Sequence, residues 1–310
     1  MHEISLALGG GGMKGIAHIG VFKSLEDSRF KIRAISGTSA GGLIGALYSS
    51  GYSVSKIIEI VSHVNQKHLF QRGKNDGPAL LGLVGLTDTL TQLLGDRQFS
   101  DLPIPFACTS VDLYSGQEII LNRGSVVDAV LATIAIPGAF PPRIIDNHTL
   151  VDGGILDPVP VALARWMAPR HPVVAVVLSS QLDNEVEIQP VQIPINVPIP
   201  KPIVERIAKL RISQAIRIFI ESFDISTRKL SELRLIQDKP DVVIRPELSE
   251  FGILDEVDPE TLIRRGEIAA NEAVPKVISA CSWRNLFPKY IQKITPPGKF
   301  ILSNNDPKSD

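Results

Sequence analysis

The chain lacks several features that would mark it for particular classes of protein. Of its 310 residues only two are cysteines, Cys108 and Cys281. They match neither a metal-ligand spacing nor a disulfide framework. Cys108 sits in an apolar run and reads as a small buried hydrophobe. Charge of one sign is not in excess: the formal net charge is -1, which argues against a nucleic-acid partner. No apolar run approaches the roughly eighteen residues of a membrane span. The N-terminus has no basic region followed by an apolar stretch and a cleavage site, so no signal peptide is read. No internal repeat is found. These absences point to a cytoplasmic protein and leave attachment to a membrane surface open. Oligomeric state is not legible.

What is present is a hydrophobic content of 44%, ordinary for a globular chain, and enough length for one large α/β domain or two small ones. Ile4 to Leu8 reads as a buried strand, and Ile16 to Ser28 as a helix with Ile16, Ile19, Val21, Phe22 and Leu25 at helical spacing. Ile32 to Ser36 is a second strand, followed by a helix over Ala40 to Ser50 that Gly51 ends. Ser53 fits an N-cap for a helix to about Asn65. His68 to Gly85 reads as a loop with short helical pieces near the site mouth, and Thr87 caps a short helix to Leu94. Pro105 to Asp112 and Glu118 to Leu121 are strands joined at Tyr114-Ser115-Gly116. Ser125 to Ile134 is helical. Arg143 to Ile145 and Thr149 to Val151 flank a hairpin turn at Asp146-Asn147-His148. Further on come a helix (Pro160 to Met167), a strand (Val173 to Leu178), and a proline-rich extended flap (Gln181 to Pro202). A long amphipathic helix (Ile203 to about Leu235), a strand (Asp241 to Ile244) and a helix (Pro259 to Ser279) follow. Residues beyond Pro296 read as a polar, disordered tail. Strands alternating with helices predict a mostly parallel sheet with helices on both faces.

The chain is organised around Ile35-Ser36-Gly37-Thr38-Ser39-Ala40-Gly41-Gly42. Gly37-x-Ser39-x-Gly41 has the spacing of a nucleophile elbow between a strand and a helix. Glycines two residues either side of the serine avoid collisions in so sharp a turn. The helix N-terminus behind it supplies free N–H groups and partial positive charge. Ser39 is therefore the candidate nucleophile, and a plain strand–turn–helix connection is the bland alternative.

Gly10-Gly11-Gly12-Met13-Lys14-Gly15 follows the first strand and opens the first helix. Its spacing also satisfies a dinucleotide-binding turn. That reading wants an acidic residue at the end of the second strand, and none is there. The alternative is an oxyanion hole built from the backbone amides of Gly10, Gly11 and Gly12. In a parallel sheet the ends of strands one and two lie side by side on one edge, which brings these amides near Ser39. Each such donor is typically worth roughly 3–4 kcal/mol to a transition state. Lys14 either adds charge at the rim or is a solvated helix-start residue.

A serine needs a base. Among the six histidines, none after His171 is placed for a Ser–acid–His order. His171 precedes its strand, His148 lies in a turn, and His18 reads as a helix-face residue. Asp152, in Asp152-Gly153-Gly154, is then the better partner for Ser39. A free Asp has a pKa of about 3.9, low for a base at neutral pH, so burial is expected to raise it.

Taken together, the order G-G-G-x-K-G, G-x-S-x-G, D-G-G resembles the patatin-like phospholipases. His18-Ile19-Gly20-Val21 and Ile136-Pro137-Gly138-Ala139-Phe140-Pro141-Pro142 extend the likeness, which covers roughly Ile4 to Leu178. The resemblance implies a three-layer α/β/α sandwich with a mostly parallel central sheet; residues 1–295 are read as one such domain and 296–310 as a polar tail. It also implies a Ser39–Asp152 dyad acting on lipid carboxylic esters (phospholipid, lysophospholipid or similar), with an oxyanion hole at Gly10, Gly11 and Gly12. Lys14, Gly15, Gly37, Gly41, Gly153 and Gly154 are the remaining motif residues, and no metal or cofactor is implied. Lys14 stands where many relatives have Arg, and lysine keeps the charge but loses the bidentate fork. Ala79 to Leu94, the flap Val191 to Pro200 and the helix from Ile203 are the candidate walls of a lipid channel, with peripheral membrane contact one reading of that helix. A non-catalytic lipid-binding or scaffold protein on the same fold is the alternative from another class.

Overall fold

The computed structural model describes residues 2–64, 66–72, 79, 81–180, 201–290 and 294–300, with 201–217 described as backbone. Nine strands among these residues form one mixed, mostly parallel sheet. They are β1 (His2–Leu8), β2 (Phe30–Thr38), β3 (Phe106–Asp112), β4 (Glu118–Leu121), β5 (Arg143–Ile145), β6 (His148–Asp152), β7 (Val173–Val176), β8 (Val242–Ile244) and β9 (Lys299–Phe300). The order across the sheet is β5-β6-β3-β2-β1-β7-β8, with β4 branching from β3 and β9 from β4. β1 pairs in parallel with both β2 and β7, so the first two strands lie in the middle of the sheet.

Ten α-helices cover the sheet among the described residues: α1 (Ala17–Asp27), α2 (Ala40–Ser49), α3 (Val54–His63), α4 (Gln66–Leu69), α5 (Val84–Leu94), α6 (Val126–Thr133), α7 (Val161–Met167), α8 (Lys201–Asp238), α9 (Pro259–Ala280) and α10 (Trp283–Leu286). The strands are apolar on both sides because both faces are covered. In β1, Ile4, Leu6 and Leu8 enter the main core with α1, α2 and α9, while Ala7 faces a second cluster with Val161 and Ala164 of α7. β7 divides the same way: Val174 and Val176 lie on one side, Val173, Ala175 and Val177 on the other. This period-two partition makes the expected three layers.

The predicted elements are present with shifted ends. Ser53 caps α3, its hydroxyl accepting from the Lys56 N–H at 3.2 Å. The β5–β6 hairpin turns on Asp146 and Asn147, with φ of 45° and 65°, as an inverse turn matching strand twist requires. α5 starts three residues before the expected cap: the Thr87 N–H donates to the Leu83 carbonyl at 2.7 Å, so Thr87 lies inside the helix. Disorder beyond Pro296 does not hold at Lys299 and Phe300, which pair with Ile119 and Ile120 of β4. The expected flap falls at 181–200, outside the described residues, as does the end of the chain at 301–310. No helix among the described residues is long and apolar enough to cross a membrane.

The parallel strands β1 and β2 end side by side, with Leu8 opposite Gly37. On the other flank, β2 pairs with β3 so that Thr38 lies opposite Thr109. β6 enters antiparallel to β3 and places Asp152 opposite Ser110. One row across the sheet therefore carries the glycine turn, the Ser39 turn and Asp152.

Candidate active site

Ser39 sits between β2 and α2 with φ 53° and ψ -124°, a conformation that a residue with a Cβ rarely adopts. The turn closes because nothing larger than glycine fits beside it. A Cβ on Gly41 would lie 2.2 Å from the Leu8 carbonyl oxygen, and one on Gly37 would lie 2.6 Å from the Gly41 carbonyl oxygen. The bend is then held from outside: the Ser39 N–H donates to Thr133 Oγ1 at 2.9 Å, and that hydroxyl donates to the Thr109 carbonyl at 2.6 Å. Thr133 was not among the expected site residues. Its only sequence signal is a hydroxyl near the end of the apolar helix α6.

Gly10 faces the serine: a Cβ there would lie 3.2 Å from Ser39 Cβ. Its amide, however, donates to the Pro158 carbonyl at 3.0 Å, so one of the three expected donors is already engaged. The Gly11 and Gly12 amides have no acceptor among the described residues, and both glycines line the cavity beside Ser39. Two of the three expected donors remain.

Asp152 is 1% exposed. Its Oδ1 accepts the Gly154 N–H at 2.7 Å, which orients the carboxyl. Oδ2 has no partner within bonding distance; the Ser39 hydroxyl is close enough to lower the carboxyl pKa but makes no hydrogen bond of ordinary length. Burial outweighs that interaction and the Gly154 bond, and lifts the Asp152 pKa to about 7, the direction expected from the sequence. Gly153 packs on Thr109 too closely for any side chain, with a Cβ 2.3 Å from its Oγ1.

Two polar residues of the first turns are buried, one of them expected in solvent. Lys14 is 3% exposed and lies 3.8 Å from Asp224 Oδ1, so it is not a solvated helix-start residue. Desolvation lowers its pKa, opposed by Asp224 and Asp255 and reinforced by Arg228. Asp224 and Arg228 both belong to α8. His18 lies in α1 on a fully buried face, with Nε2 2.8 Å from the Gly9 carbonyl.

Ser39 borders two cavities. One, of about 150 Å³, is apolar and runs among α2, α3 and α5 past Leu43, Leu47, Ile60, Leu90 and Phe140. The other, of about 30 Å³, is the more polar of the two and is lined by Gly11, Lys14, Asp152, Phe223 and Asp224. That is room for a water or two. Of the expected channel walls, α5 lines the apolar cavity, while Phe223 of α8 lines the polar one and Ile220 packs on the core. Ile218 and Phe219 are exposed. The side chains of 203–217 and the segment 191–200 lie outside the described residues. Among the described residues no group of His, Cys, Asp or Glu is arranged to hold a metal ion.

An α/β sandwich thus carries a serine on a strained strand–helix turn, beside a glycine turn and a buried aspartate. The Patatin-like phospholipase family profile matches residues 6–165, and the chain belongs to that family. It is 32% identical over 162 residues to an uncharacterized NTE family protein of Mycobacterium tuberculosis, covering 52% of this chain and 45% of that one. It is also 29% identical over 200 residues to mouse patatin-like phospholipase domain-containing protein 6, covering 60% of this chain and 14% of that protein. The chain thus spans half or less of the length of these curated relatives. In fold it is similar to the crystal structure of VipD from Legionella pneumophila, with a TM-score of 0.55 and 12% identity over 90% of this chain and 67% of that one.

Proposed function

We propose that this chain is a lipid acyl hydrolase in which Ser39 is the nucleophile and Asp152 its general base. The observation that carries the reading is the meeting of two cavities at one hydroxyl. Ser39 lies between an apolar channel suited to an acyl chain and a polar pocket that holds a buried, unpartnered carboxylate oxygen. An ester seated with its chain in the channel presents its carbonyl carbon to Ser39 Oγ. As Oγ attacks, its proton passes to Asp152 Oδ2, and the Gly11 and Gly12 amides receive the carbonyl oxygen as it becomes negative. The alcohol then leaves with the proton returned by Asp152. Water then attacks the acyl-Ser39 ester in the same way.

A base with a pKa of about 7 is half-available at neutral pH, near the optimum for proton transfer. Family membership supports lipid esters as the substrate class. The test is labelling by a fluorophosphonate probe together with hydrolysis of a lipid ester panel, on parent, Ser39→Ala and Asp152→Asn. Loss of a nucleophile in a comparable unit removes about 10⁶ in turnover. Labelling of the parent that disappears in Ser39→Ala is the expected result. A folded parent that binds lipid vesicles but neither labels nor turns over any ester would move the reading to a non-catalytic lipid binder.

A further inference from the structure

His18 takes no part in the chemistry above, yet it is a fully buried histidine with one ring nitrogen engaged and the other without a partner. The Gly9 carbonyl can only accept, so Nε2 carries the proton and Nδ1 presents an unsatisfied lone pair. The same peptide unit is held at its other end, where the Gly10 N–H donates to the Pro158 carbonyl at 3.0 Å. A peptide is planar, so tying its C=O on one side and its N–H on the other fixes its whole orientation. The next two amides in the chain are those of Gly11 and Gly12.

We propose that His18 is a positioning residue for the oxyanion turn: its bond to the Gly9 carbonyl, opposed by the Pro158 carbonyl on the Gly10 N–H, locks the Gly9–Gly10 peptide plane and so holds the Gly11 and Gly12 amides beside Ser39. This rests on the acyl-hydrolase reading. Four glycines in succession, Gly9 to Gly12, have no side chains to restrict them, so without a clamp the turn samples other peptide orientations. The fold alone gives no reason for a histidine here. One neutral hydrogen bond brings a modest net gain, whereas a buried acceptor left without a partner is a larger penalty. A residue that breaks a local rule of core composition is most readily explained by function. Burial holds the His18 pKa down at about 4, against the Gly9 bond that raises it, so the ring is neutral through the working pH range and Nδ1 stays unprotonated.

The experiment compares parent, His18→Met and His18→Gln on p-nitrophenyl esters and in the rate of fluorophosphonate labelling. His18→Met keeps similar volume but cannot donate. Its kcat should fall by about 100-fold, the scale of a misplaced catalytic group, with KM and the apparent pKa of the rate profile unchanged. His18→Gln restores a donor and should recover most of the loss. A folded His18→Met with parental kcat overturns the proposal, and so does equal loss in both variants. If His18→Met does not fold, amide exchange in the parent decides. The Gly11 and Gly12 amides should exchange freely and become protected once Ser39 carries the phosphonyl group; if they stay unprotected, the proposal fails. A parent with no turnover and no labelling refutes the hydrolase reading itself, and the proposal falls with it.

Discussion

Replacing Asp152 by Asn should make the protein more stable at alkaline pH while abolishing its activity. The carboxyl is fully buried and its pKa is displaced from 3.8 to about 7, which corresponds to roughly 4 kcal/mol. The sign follows from proton counts. Between these two values the folded state holds a proton that the unfolded state has released, so stability falls as pH rises. The contribution is complete below about pH 4, declines across the interval, and is gone above about pH 7. Asn keeps an oxygen to accept the Gly154 N–H, which reaches Oδ1 over 2.7 Å in the parent. Its amide also has no charge to desolvate. Urea denaturation of both proteins from pH 4.5 to 9 isolates the group, because other titrations cancel in the difference. Asp152→Asn should gain on the parent by roughly 1.4 kcal/mol per pH unit up to about pH 7 and then level off. A difference independent of pH would refute the claim that a buried carboxyl with a raised pKa sits here.

The rate of ester hydrolysis by the parent should rise with pH through an apparent pKa of about 7, since Asp152 must be ionised to accept a proton; a flat acid limb counts against its role. Ser39→Gly should be more stable than Ser39→Ala by about 1–3 kcal/mol in thermal melts, because glycine accepts the turn at φ 53° without strain. Leu43→Trp, one helical turn beyond Ser39, fills the apolar channel about 6 Å from the nucleophile. It should lower kcat/KM for octanoyl esters at least about tenfold while sparing butyryl esters. Arg234 of α8 is shared by three carboxyls, lying 3.4 Å from Glu118, 3.8 Å from Asp157 and 3.9 Å from Asp238. Burial, then the Glu118 charge, already holds the Asp157 pKa well above its ordinary value. Arg234→Met should destabilise by about 3–5 kcal/mol at pH 8 and less at pH 5, where the carboxyls can take up protons, as read by urea denaturation.

The sequence by itself determined the element order, the sites of the turns and the three motifs, because those depend on neighbours a few residues apart. Apolar spacing marks α1, Ser53 marks the start of α3, and glycines at fixed offsets mark the Ser39 turn. Even the need for a shifted Asp152 follows from the absence of a late histidine. What only the tertiary structure decided rests on partners far apart in the chain. The Ser39 turn is held by Thr133, 94 residues away. Gly10 loses its amide to Pro158, a carbonyl that no local pattern connects to it. Lys14 reads as a solvated helix-start residue, yet it is buried near Asp224, 210 residues away. Asp152 arrives on a strand running against its neighbour β3, which alternation of strands and helices does not announce. Local periodicity records which face of an element is apolar. Which polar group meets which across the sheet, and what burial then does to its proton, is settled when the layers pack.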